Sequence, residues 1–75
     1  MFLYQKFKEN LSSPYIGKYV SFGIVVFYIL YKQKTELLRI SDISVDEEKV
    51  ENISELCTQE QLDPIHIYDI IEDYT

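Results

Sequence analysis

The chain has 75 residues, 47% of them hydrophobic, with a net charge of −6. This length admits one domain with a small core, and seven Tyr with four Phe exclude a disordered tail. The acidic balance excludes nonspecific nucleic-acid binding, which needs a basic footprint.

Phe2–Lys8 reads as a first strand, rich in aromatic residues. The stretch ENLSSPYIGK, residues 9–18, collects Asn, Ser, Pro and Gly and predicts a loop. Lys18–Tyr31 reads as a long second strand. Val20, Phe22, Ile24, Val26, Tyr28 and Leu30 fall on one side of it, and Tyr19, Val25, Phe27, Ile29 and Tyr31 on the other, because strand residues alternate. Gly23 inside this run predicts a bulge or a close backbone approach. KQKT has no glycine and predicts a connection of three to five residues. Glu36–Ser41 then reads as a third strand, with the second strand pairing first with strand one and later with strand three.

The apolar run between Lys18 and Lys32 is 13 residues long. A membrane-spanning helix needs about 20. No small-residue cleavage site follows the run, so neither a membrane span nor a signal peptide is expected. Peripheral attachment through the apolar strand is the membrane alternative.

After Ser41 the apolar spacing becomes helical. Ser44-Val-Asp-Glu47 has the pattern of a capping box, in which Ser and Glu side chains bond each other's backbone amides. Val50, Ile53, Leu56 and Cys57 form one stripe, and the helix is expected to end within Gln59–Leu62. Asp63-Pro64 starts a second helix, with Asp as cap and Pro at the first helical position. Its stripe is Ile67, Ile70, Ile71 and Tyr74. The order β-β-β-α-α predicts an α+β fold: a three-stranded antiparallel sheet followed by two short helices packed on one face. One domain spans 1–75, with 1–41 as the sheet half and 42–75 as the helical half.

Charge divides along the same line. Residues 1–40 hold six Lys/Arg against two Glu, +4, and residues 41–75 hold Lys49 against eleven Asp/Glu, −10. Cys57 is the one cysteine, so an internal disulfide is impossible, and a reducing cytoplasm is the expected setting.

Two short helices cover one side of a sheet, yet the second strand is apolar on both. Monomers rarely leave such a patch in water. A homodimer is therefore predicted, through the Tyr19/Val25/Phe27/Ile29/Tyr31 face or through an edge strand. The alternative is that strand one or the 9–18 loop folds over that face.

His66, Asp69 and Asp73 follow at i, i+3 and i+7, a spacing that metal sites use, normally with ligands from a second element. The alternative is a hydrogen-bonded His66 beside two solvated carboxylates. A Cys57–His66 nucleophile–base pair would need an exposed thiol, and the stripe places Cys57 inside. No cofactor motif is present, and no catalytic residue is assigned. Glu72 and Asp73 stand at the end of a helix, where the dipole disfavours negative charge. Such a conflict often marks a residue used for something else, unless exposure of the terminus screens the effect or Lys6, Lys8, Lys32 or Lys34 compensates. Tyr68, Asp69, Glu72, Asp73 and Tyr74 then form an acidic-aromatic surface for a basic protein partner.

The stretches ISDISVDEEKVENISELC and LDPIHIYDIIEDY carry a resemblance. Asp42-Ile43-Ser44, Val50, Leu56-Cys57 and above all Pro64-Ile65-His66, Tyr68-Asp69 and Ile71-Glu72-Asp73 resemble a family of short uncharacterised bacterial proteins. The resemblance covers about residues 40–74, with a fainter match at Phe22-Gly23-Ile24 and a departure at Thr58. It implies that the Pro-Ile-His and Glu-Asp segments belong to one unit, and it implies no activity.

The expected function is a small interaction or regulatory module that is homodimeric and non-catalytic, with no direct nucleic-acid or membrane binding. The rivals are an inhibitor or antitoxin-like protein that mimics nucleic acid, and a metal-dependent hydrolase using His66, Asp69 and Asp73.

Overall fold

A computed structural model describes residues 1–74. Alternating β-branched and aromatic residues draw the first part of the chain into three strands. They are β1 (Phe2–Ser13), β2 (Gly17–Leu30) and β3 (Gln33–Ser44), antiparallel and in the order β1-β2-β3. Then come α1 (Glu47–Gln59), a 3-10 turn (Pro64–His66) and α2 (Ile67–Tyr74). The fold is the expected α+β arrangement.

β1 and β3 are longer than the sequence implied, while β2 has its expected length of 14 residues, one position earlier. Residues 9–13 are not a loop: β1 pairs with β2 without interruption from Phe2↔Tyr28 to Ser13↔Gly17. Backbone pairing there outweighs the weak strand preference of Asn and Ser. Only Pro14, Tyr15 and Ile16 form the turn, followed by Gly17 at φ 76°. β3 likewise begins at Gln33, so the second connection is not a three- to five-residue loop but Tyr31-Lys32, at φ 51° and 66°. Positive φ at both central residues matches the right-handed twist of the flanking strands. The strand register imposes that turn on two residues that disfavour it.

β3 pairs with β2 only from Phe22↔Ser44 to Leu30↔Gln33. The expected division of β2 between its neighbours is therefore an overlap: β1 runs its whole length and β3 runs beside its second half. Two irregularities interrupt β3, one adding Leu37 and one spanning Ser41–Ile43. Asp42 takes φ 53° within the second.

The helices lie on the face that carries Phe22, Ile24 and Val26. These pack with Tyr4, Ile40, Val50, Ile53, Cys57 and Ile67. Ile24, Val26, Val50 and Ile67 are 0% exposed, and burying each side chain of this size contributes about 1.5–3 kcal/mol. α1 starts differently from the capping-box expectation. Asp46 is the N-cap, accepting from the Lys49 amide at 3.3 Å, while Ser44 Oγ accepts from the Asp46 amide at 3.0 Å. Ser44 is still in β3, so it cannot also cap the helix. At the second start Asp63 caps as expected, accepting from the Ile65 amide at 3.1 Å, but Pro64–His66 form a 3-10 turn before α2 begins.

α1 ends in a Schellman arrangement. Leu62 N–H donates to Cys57 O, Gln61 N–H donates to Thr58 O, and Gln61 takes φ 50°. Glycine is the usual residue there. Gln61 is useful because its side-chain amide bonds both the N–H and the C=O of Phe2, each at 2.9 Å. Thr58 Oγ1 does the same for Tyr4, at 2.9 and 3.3 Å. Side chains of the last helical turn and of the left-handed residue after it thus occupy the outer edge of β1.

Gly23 fulfils both of its expectations. It sits at the larger irregularity, and a Cβ placed on it would lie 2.3 Å from Ile40 O and 2.7 Å from the Phe7 ring. Gly23→Ala should therefore destabilise the protein by about 2–3 kcal/mol, an overpacking cost. Urea denaturation followed by circular dichroism measures it.

Candidate functional site

α2 is held from beneath by Ile67, with Ile70 and Ile71 packed against the core. Its other side presents Tyr68, Asp69, Glu72, Asp73 and Tyr74, all exposed. The five residues singled out in the sequence are exposed together; Tyr74, which the spacing had also placed in the apolar stripe, is 48% exposed. Tyr74 also reaches the start of α1, where it lines a shallow cleft with Asp46, Glu48, Lys49 and Asn52. Asp46 and Glu48 extend the acidic surface. Only the antiparallel return of α2 brings them to Tyr74.

The basic residues of the sheet do not neutralise this surface. Lys6 bridges Glu47 at 2.9 Å and Glu51 at 2.7 Å, both on α1. Lys34 lies 4.1 Å above the Phe27 ring, on the opposite face of the sheet. Among the described residues, no ion pair involves Asp69, Glu72 or Asp73.

His66 is exposed in the 3-10 turn. The change from 3-10 to α geometry between His66 and Asp69 breaks the single helical face that the spacing assumed. Among the described residues, no three His, Cys, Asp or Glu side chains gather as metal ligands would. Cys57 is 2% exposed, and burial pushes its thiol pKa up. A buried, protonated thiol lacks the exposure that the Cys57–His66 pair would need.

The outer face of the sheet is covered by neither β1 nor residues 9–18, which continue the sheet instead. Its apolar side chains are interleaved with polar ones. Val25 is 4% exposed, flanked in register by Gln5 and Arg39. The Arg39 guanidinium stands 4.9 Å from the Phe7 ring, which itself leans across Gly23. Phe27 and Ile29 are half-buried, and Tyr31 projects from the turn at 91% exposure. Tyr19 O–H donates to Asp42 at 2.7 Å, and Ser21 Oγ donates to the same carboxylate at 2.6 Å. Glu9 reaches across the sheet to accept from Ser41 Oγ at 2.8 Å and from the Asp42 amide at 2.9 Å. Long side chains cover apolar surface with their stems while their heads stay in water, so this face is less greasy than β2 alone implied.

These contacts shift titrations. Hydrogen bonds from Ser21 and Tyr19 hold the Asp42 carboxyl below its ordinary value. Lys6 does the same for Glu51 through a hydrogen bond and its charge. Tyr4 O–H donates to Leu62 O between sheet and helices, and burial pushes its pKa up to about 12.

Two outcomes follow. A carboxyl with a depressed folded pKa stabilises the fold above its unfolded value, near 4, and that contribution disappears as pH falls through the folded value. Asp42→Asn should therefore show a smaller fall in melting temperature between pH 5 and pH 2 (roughly the range over which carboxylates titrate) than the parent. Tyr4→Phe should cost about 1–2 kcal/mol at pH 7, because it leaves the Leu62 carbonyl unpaired. It should also lessen the stability lost as pH rises from the ordinary tyrosine value towards 12. Thermal melts across pH check both.

No curated protein and no solved structure matches the chain significantly. One family model does, and it runs over residues 2–75. The match takes in the sheet half as well as the segments after residue 40, so the three strands and the two helices are one family unit. The chain belongs to DUF6514, a family of unknown function.

Proposed function

We propose that this chain is a small protein–protein interaction module without catalytic activity of its own, which self-associates as a homodimer and binds a basic protein partner. The carrying observation is the α2 surface: three carboxylates and two exposed tyrosines, with none of the three carboxylates in an ion pair among the described residues. Negative charge in the last turn of a helix is unfavourable by about 0.3–1 kcal/mol per group. A cationic partner would reverse that term. Tyrosine suits the same role, because it combines a large apolar ring with a polar tip.

Self-association is supported by the sheet. Among the described residues its outer face has no second layer, and its strands extend beyond the helices that cover the other face. A bacterial cytoplasmic setting agrees with the buried single thiol and with the resemblance carried by the Pro64–Asp73 segment.

No helix among the described residues is long and apolar enough to cross a membrane. The apolar run that raised the question is β2.

A nucleic-acid mimic is the second reading, favoured by the −10 charge of residues 41–75. The two differ in salt response, since contacts made by many exposed charges weaken steeply as ionic strength rises. A partner captured from source cells should lose about tenfold or more in affinity, over 1.4 kcal/mol, to Glu72→Lys/Asp73→Lys. Titration calorimetry at two salt concentrations measures the loss and separates the readings. Unchanged affinity in the double variant would remove α2 from the contact.

A further inference from the structure

Each edge of the sheet is treated differently. β3 forms one edge, and its two irregularities, at Leu37 and Ser41–Ile43, break the regular ladder a new strand would need. β1 forms the other. Its first half is occupied by α1: Thr58 takes the outward N–H and C=O of Tyr4, and Gln61 those of Phe2. Lys6 follows with its ion pairs to Glu47 and Glu51. Beyond Lys6 no element of the described residues lies beside β1.

β3 also stops at Ser44, opposite Phe22. Residues 9–13 and 17–21 therefore continue as a two-stranded arm. On its β2 side the arm is braced by Tyr19 and Ser21 bonding Asp42, and by Ser21 bonding Ser44 O. On its β1 side it is bare. Two-stranded ribbons are marginally stable alone.

The geometry points to the outer edge of Lys8–Ser12 as the surface through which two copies of this chain pair, arm against arm. This rests on the self-association proposed above and names its contact. Phe2 and Tyr4 show that even-numbered β1 residues direct their backbone groups outward, so Lys8, Asn10 and Ser12 do the same by alternation. An antiparallel strand pairs two outward-facing residues with each other. The segment meets this condition with itself: about a two-fold axis at Asn10, Lys8 faces the second copy's Ser12, and Asn10 faces Asn10. Glu9 faces Leu11, so no like charges stand opposite each other. No proline or bulge interrupts the stretch. By this register each copy's turn, residues 14–16, ends beside residues 4–6 of the other, where Lys6 and Thr58 close the edge and stop the pairing, and the overlap is a four-stranded sheet with both β1 strands at its centre.

The test uses the full chain. By light scattering after gel filtration, the parent should have twice the 8.9 kDa monomer mass. Asn10→Pro removes an outward N–H and leaves the β1–β2 ladder its bonds, so it should halve the mass with an unchanged far-ultraviolet spectrum. Lys8→Cys and Ser12→Cys, mixed and mildly oxidised, should form a disulfide-linked dimer several-fold more than either alone. The facing Cα atoms would be about 5.5 Å apart, within disulfide reach. A mixture that cross-links no better than its components, beside a dimeric parent, overturns the arm contact and leaves self-association standing. A parent of monomer mass at every concentration overturns both. If Asn10→Pro does not fold, the cysteine mixture decides alone.

Discussion

A mismatch in length governs this molecule. The strands set a longest dimension of 44 Å, while a 13-residue helix such as α1 spans only about 20 Å. The helical layer must therefore choose which part of the sheet to cover. A seam along β1 makes the choice. Lys6 holds the beginning of α1, Thr58 and Gln61 hold its end, and Tyr4 O–H reaches Leu62 beyond it. The core lies beneath that seam, at Phe22, Ile24 and Val26, and both hairpin ends are left outside it.

Closing this seam also uses up local preferences. Gln61 accepts a left-handed backbone in return for two bonds to the edge of β1. Tyr31 and Lys32 accept the same strain because the β2–β3 register leaves room for only two residues between the strands. Asp42 accepts it within the β3 irregularity, where its carboxylate is fixed by Tyr19 and Ser21. In each case an unfavourable φ is outweighed by hydrogen bonds or strand pairing that no alternative conformation provides.

The electrostatic division of the chain becomes a division in space. Three of the six cations of the sheet half are engaged close to home: Lys6 on α1, Lys34 over Phe27, and Arg39 with Glu36 and over Phe7. Arg39 and Lys34 cover an outer face that has no second layer. Being held there, they cannot reach the carboxylates of α2. The same side chains that make the sheet tolerable in water leave the helical end acidic.

Much of this was legible in the residues. Binary patterning identified three strands and two helices in order, because side-chain period is a local property that neighbours in sequence already express. Gly23, Asp63, the buried Cys57 and the exposed acidic side of α2 could be read for the same reason. Strand lengths could not, since Glu9, Leu11 and Ser13 extend β1 only because β2 stands beside them to complete their hydrogen bonds. Nor could the true cap, Asp46, be separated from Ser44 until β3 was seen to claim Ser44. The sequence by itself determined which elements form and which of their faces are apolar. Tertiary structure decided how far the strands run, which edge is closed by Thr58 and Gln61, and where the cations go. Those outcomes depend on contacts between residues up to 59 positions apart, and no local pattern contains them.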